Sequence, residues 1–279
     1  MEVQTFDDAG AFRQAADPLL VPEEAVNNLI LGVTGTALEH PGTFEHFAAW
    51  VVLDSGAPVV AAARTPPNNL ILAASRRPDA VRALAADVGD LPGIVGVVPS
   101  VEHFVDARPE DSRRSMSQGI FQLEAVTTPT RAEGLSRQAE PDEIEALVQM
   151  RLAFEKEAIG RVDDPAMARR GTEWRIKEQS PRFGLWVHEV AGRVVSISGH
   201  SGPTPNGIRI GPVYTPPEHR GHGYASTLVA AESQWLLDHG HSYCFLYTDL
   251  GNATSNSIYQ RIGYRQIAES AEYTFNPRP

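Results

Sequence analysis

The 279-residue chain holds a single cysteine, Cys244. No intrachain disulfide can form, and no cysteine-rich zinc site either. Cys244 lies in the apolar run Tyr243 to Tyr247, where a thiol behaves as a small buried hydrophobe. Basic residues are scarce: 24 lysines and arginines stand against 35 acidic residues, a formal net charge of −11. Nucleic acid is not an expected partner, because neutralising phosphates needs clustered Lys and Arg. No apolar run approaches the ~18 residues of a bilayer-spanning helix, so no membrane partner is expected. The first ten residues are acidic and lack the basic and apolar regions of a secretory leader, so the expected location is the cytoplasm. No Gly-Lys-Ser/Thr is present, which removes the NTPase phosphate loop. No group of His, Cys, Asp and Glu has metal-ligand spacing, so no metal is expected.

What is present is a globular balance of 42% hydrophobic and 21% charged residues. The polar, turn-rich stretch from Thr127 to Glu140 divides the chain into halves of similar size. Each half reads as two helices, three strands, a helix, a strand, a helix and a strand. The expected organisation is two domains, residues 1–128 and 129–279, related by duplication. In the second half a strand is expected near Gly134 to Gln138. A helix opens at Pro141, a second covers Pro165 to Gln179, and a hairpin turns at Ala191-Gly192. In the first half helices are expected near Asp8 to Ala16 and Pro22 to Val33.

Two motifs carry the chemistry. The strand Ile208 to Thr215 is interrupted by Gly211-Pro212. Proline cannot donate to a sheet ladder and glycine marks a bulge. A bulge there splays the strand from its neighbour and frees the backbone of Val213, Tyr214 and Thr215 for an extended, amide-bearing ligand. Arg220, Gly221, His222 and Gly223 follow, then a helix opening Tyr224, Ala225, Ser226. The free N–H groups of a helix start attract anions, and the glycines let a pyrophosphate approach. The string Gly-x-Gly-x-x-Ser lacks the third glycine of a dinucleotide fingerprint. The second motif runs from Asn252 to Tyr264 and sets Asn252, Asn256 and Tyr259 on one helix face.

Together these residues resemble the GNAT superfamily of N-acyltransferases. Arg220, Gly223 and Ala225 match its pyrophosphate pattern Arg/Gln-x-x-Gly-x-Gly/Ala. Asn252, Ser255, Tyr259, Gly263 and Tyr264 match its later Asn, Ala/Ser, Tyr, Gly-Phe/Tyr pattern. The resemblance covers roughly residues 130–279. It implies an α/β (α+β) fold of two GNAT-like domains in tandem, each a mixed, mostly antiparallel sheet flanked by helices. The donor implied is acetyl-CoA, bound by the loop residues together with Asn252 and Asn256. The acceptor implied is a primary amine on a small molecule or peptide. Tyr259 takes the place of the acid that protonates the leaving thiolate. The first half carries neither motif: Ala-Ser-Arg-Arg-Pro-Asp stands where the phosphate loop belongs, so it reads as a degenerate copy.

The acceptor side is less defined. Some relatives place a glutamate on the strand before the loop, where Arg209 lies near the corresponding place here. Candidates for a base are His200, whose intrinsic pKa suits proton transfer near neutrality, and Glu155, with Glu157 and Asp249 as further carboxylates. A non-catalytic coenzyme A-binding sensor or interaction module is the alternative reading. The assembly expected is a monomer whose halves form a pseudo-dimer, or a homodimer.

Overall fold

The computed structural model describes residues 1–159 and 164–276. The first half runs β1 (Glu2–Phe6), α1 (Ala9–Leu20), α2 (Asn28–Glu39), β2 (Ala48–Asp54), β3 (Ala57–Arg64), β4 (Leu70–Leu72), α3 (Pro78–Asp87), β5 (Gly93–Val97), α4 (Ser100–Asp106) and β6 (Ser112–Leu123). The second runs β7 (Leu135–Gln138), α5 (Ile144–Phe154), α6 (Pro165–Lys177), β8 (Gly184–Val190), β9 (Arg193–Ser201), β10 (Gly207–Tyr214), α7 (Tyr224–Asp238), β11 (Tyr243–Asp249), α8 (Ala253–Ile262) and β12 (Arg265–Phe275). The order repeats: strand, two helices, three strands, helix, strand, helix, strand. The short β1 adds one strand to the reading from sequence. Helix α2 begins six residues later than Pro22, because Val21–Glu23 forms only a single 3₁₀ turn.

Local chemistry explains several boundaries. Asp8 caps α1, its carboxylate accepting from the Ala11 amide at 2.7 Å. Ala191 and Gly192 both have positive φ, 49° and 75°, as a tight two-residue hairpin requires. Beyond α5 the backbone widens into a π-helical turn, Glu155–Ile159.

All twelve strands form one sheet, in the order β1-β2-β3-β4-β5-β12-β6-β11-β10-β9-β8-β7. Pairing is antiparallel except for β4 with β5 and β10 with β11. The last strand of each half lies beside the other half. β12 pairs with β5, and β6 pairs with β11. The two exchanged strands pair with each other from Arg265 opposite Gln122 to Phe275 opposite Ser112. The sheet has a helix layer on each face of each half, following the period-two alternation of strands. In the first half Phe12, Leu20, Ile30 and Leu31 cover Val51, Ala61 and Ala63, while Val81, Leu84, Val101 and Phe104 cover Val52, Val60 and Leu70. In the second, Leu147, Met150 and Ile176 cover Leu185, Val187 and Ile197. Val229, Leu236 and Ile262 cover Ile208, Ile210 and Leu246 on the opposite face.

A second joint links the halves. The buried Glu24 accepts from the Asn206 amide at 2.8 Å, from Asn206 Nδ2 at 2.7 Å and from Thr204 Oγ1. Beside it α2 lies against the turn before β10: a Cβ added at Gly32 would sit 2.6 Å from the Gly202 carbonyl oxygen.

The strand exchange predicts how the chain divides. Residues 1–128 alone would leave β5 a bare edge and β6 without either neighbour; residues 129–279 alone would separate β11 from β12. Neither fragment should unfold cooperatively alone, and mixing them should restore near-UV circular dichroism and a sigmoidal urea transition. A cooperative transition in the isolated 1–128 fragment would contradict this.

Candidate active site

The parallel pairing of β10 with β11 covers only Gly207 to Arg209, opposite Tyr243 to Phe245. β11 continues to Asp249 along β6, but β10 departs. Its register against β9 shifts between Ile210 and Val213, at Gly211-Pro212. The two strands diverge and leave a slot in the sheet, as the Gly-Pro interruption predicts. On its far edge Val213 stays opposite Ser198, and Ser196 Oγ donates to the Tyr214 carbonyl at 3.2 Å and bonds Thr215 Oγ1 at 2.8 Å.

The loop after β10 leads to the start of α7. Gly221 and Gly223 have φ of 81° and 79°, a left-handed conformation that other residues adopt only at a cost. Gly223 occupies the cap position of α7. Thr227 is the first amide of that helix to bond back, to the Gly223 carbonyl. The amides of Gly221 to Ser226 have no acceptor among the described residues. Unpaired N–H groups at a helix start make a ready anion site. Arg220 lies at its side. Its Nε donates to the Thr215 carbonyl at 2.9 Å, its Nη2 to Glu157 at 2.7 Å, and its guanidinium lies 5.8 Å from the Tyr214 ring centre. His222 and His188 both stack on Tyr224, at 5.3 and 5.1 Å.

Across the slot, Asn252 caps α8 by accepting from the Ser255 amide at 3.0 Å. Asn256 Nδ2 donates to the carbonyls of Asp249 and Leu250, where β11 ends; its Oδ1 is buried with no partner. Tyr259 is 8% exposed, packed edge-on to Tyr264, and burial pushes its phenol up to about 12.

The two residues expected to serve as base have other partners. His200 is fully buried on the α7 face of the sheet. Nδ1 bonds Glu232 Oε1 at 2.8 Å and Nε2 bonds the Ser180 carbonyl at 2.8 Å. Its place is in the core under α7, not at the mouth of the slot. The cause is strand alternation: Ser196, Ser198 and His200 share the face that α7 covers, while Ile197 points to the other. Glu155 is 7% exposed and accepts from Arg151 Nε at 3.0 Å. Glu232 was not anticipated. The spacing contained the signal, because Leu228, Val229 and Leu236, four before, three before and four after it, are all buried.

The corresponding place in the first half is built differently. β4 and β5 stay paired through Leu72 opposite Gly96. Pro78 opens α3, so one donor is missing. Arg77 is held by Asp54 at 2.7 Å and by Asp79, two carboxylates where the other half offers open amides.

Comparison with known proteins settles the fold. A family model described as "FR47-like protein" matches residues 204–273, which span the slot, the loop and both helices behind it. A GCN5-related N-acetyltransferase from Sphaerobacter thermophilus superposes over 99% of this chain and 97% of its own, with TM-score 0.65 and 14% identity. A GNAT-family acetyltransferase from Colwellia psychrerythraea does so over 99% and 100%, at 0.60 and 10%. A tandem GNAT protein from the clavulanic acid biosynthesis pathway covers both chains completely, at 0.59 and 16%. The chain has the GNAT fold, in tandem. No curated protein matches the sequence. Within this tandem GNAT fold, the divergence of strands and the open helix start both occur in the second half.

The pair beneath α7 predicts a stability effect. His200→Ala would leave a buried Glu232 oxygen without its partner, and leaving a buried polar group unsatisfied costs about 1–3 kcal/mol. Urea denaturation should show a loss of about that size. A loss below about 1 kcal/mol would mean that the pair does not hold α7 to the sheet.

Proposed function

We propose that the protein is an N-acyltransferase that moves an acetyl group from acetyl-CoA to a primary amine. The observation that carries this reading is the divergence of β10 from β11 at Gly211-Pro212, in line with the open amides of Gly221 to Ser226. The residues fit the coenzyme. The amides and Arg220 suit its pyrophosphate, the backbone of Val213 to Thr215 suits the pantetheine amides, and the orphaned Asn256 Oδ1 offers an acceptor to an N–H in the slot. The Glu157 carboxylate now on Arg220 is half-exposed, so its displacement by a phosphate group costs little.

The thioester supplies an activated acyl carbon. The amine nitrogen forms the new C–N bond as the C–S bond breaks, and the departing sulfur takes a proton. We assign that proton to Tyr259. Burial keeps its phenol protonated throughout the neutral range, so it can act as acid. An amine with a pKa near 10.4 costs about 4–5 kcal/mol to deprotonate at neutral pH. With His200 and Glu155 engaged elsewhere, solvent takes the ammonium proton before attack, and the second nitrogen proton, released as the amide forms, restores the Tyr259 phenol. The first half, with its paired strands and its carboxylates around Arg77, takes no coenzyme in this reading.

Two variants test it. Gly223→Asp forces a side chain into a left-handed conformation and adds a carboxylate at the anion site, so acetyl-CoA should bind at least tenfold more weakly by calorimetry; unchanged affinity would remove the loop assignment. Tyr259→Phe should lower kcat by about 10²-fold in a thiol-release assay while the Kd for acetyl-CoA holds; full turnover would end the acid role. Binding of acetyl-CoA with no thiol release across a broad amine panel would favour a coenzyme A sensor.

A further inference from the structure

Three arginines gather on the sheet face opposite α7, and the coenzyme reading uses none of them. Arg151 comes from α5, Arg175 from α6 and Arg209 from β10. Arg209 lies between Ile208 and Ile210, which face α7, so it points to the other side. Arg151 and Arg175 line a small pocket with Thr172, Ile197 and Pro212. Pro212 sits where β10 leaves β11, so the pocket adjoins the slot.

Each guanidinium occupies space that a glycine leaves open. A Cβ at Gly171 would lie 2.8 Å from Arg151 Nη1, one at Gly199 3.2 Å from Arg175 Nη1, and one at Gly202 3.0 Å from Arg209 Nη2. Three glycines on separate elements thus make room for three cations. Arg151 has Glu155 as partner. Among the described residues, neither of the other two makes an ion pair with a carboxylate. Arg175 makes one side-chain hydrogen bond, Nη2 to Ser201 Oγ at 3.4 Å, and Arg209 Nη1 is buried with no acceptor. Ser201, which accepts from Arg175, stands opposite Arg209 in the sheet register. Burial, with repulsion from Arg151 and Arg209, outweighs the attraction of Glu232 and lowers Arg175 to about 10. Partly buried cations without a directly paired carboxylate are costly. In a chain with 35 acidic residues their isolation points to an anion from outside, and a guanidinium suits a carboxylate.

We propose that Arg175 and Arg209 form a carboxylate-binding site beside Pro212, and that the acceptor is an amine bearing a carboxylate, of the amino-acid class. The assignment of this carboxylate to an acceptor rests on the acyltransferase reading. The site orients the acceptor: with the carboxylate on the arginines, the amine reaches toward the slot.

The test uses the full chain and two readouts. Succinate, against its neutral diamide, probes the carboxylate site by calorimetry in a carboxylate-free buffer. Wild type should bind succinate and not the diamide. Arg175→Met and Arg209→Met, which keep most of the side-chain volume, should each weaken succinate at least tenfold while acetyl-CoA binds as before. In turnover, β-alanine should exceed its amide at least tenfold in kcat/KM, and both variants should erase that preference through KM. The proposal is overturned if wild type ignores succinate, if the variants bind it normally, or if the two amines turn over equally. Succinate binding without acetyl-CoA binding would uphold the carboxylate site, overturn the acceptor assignment and sink the acyltransferase reading.

Discussion

The antiparallel pair of β6 and β12 is the constraint on which the rest depends. Each strand belongs by sequence to one half and lies beside the other half's strands. Because they pair with each other, the two halves share one continuous sheet. β6 fixes the line of β11, which forms one wall of the slot. The slot in the second half therefore takes its position from a strand of the first. The first half, which lacks the glycine loop, still has a physical role. It completes the sheet, and through Glu24 and Gly32 it holds the turn that leads into β10.

Opposite faces of the second half's sheet carry different chemistry. Under α7 lies a buried polar layer, Ser196, Ser198, His188 and His200 of the strands, with Glu232 of α7 bonded to His200. Under α5 and α6 they present Leu185, Val187 and Ile197, with Arg209 where β9 ends and β10 begins, opposite Ser201. The slot opens between the two. In the proposed reaction the donor enters along the loop on the α7 side, and the acceptor meets it from the arginine side.

Much of this was legible in the residues. The glycine loop before α7, the Gly-Pro bulge, the Asn/Tyr helix and the duplicated order of elements are all local patterns, and they occur where the residues imply. Helix α7 spans Tyr224–Asp238 and opens directly after the glycine loop, where the residues imply a helix start. What sequence did not show is what depends on contacts far apart in the chain. Strand exchange leaves no local mark, since β6 and β12 read the same whichever half they join. His200 looked like a residue at the end of a strand; only its alternation with Ile197 and the approach of Glu232 place it in the core. The arginines lie on three elements up to 58 residues apart, from Arg151 to Arg209. Their convergence depends on glycines whose role appears only once the elements are packed.

The central claim is that one half, the second, holds the coenzyme. Hydrogen exchange of the full chain with and without acetyl-CoA tests it most directly. Slowed exchange confined to the amides of Val213 to Thr215 and Gly221 to Ser226, with residues 74–80 unchanged, is the predicted result. Equal protection at residues 74–80, or none at either loop, would contradict it.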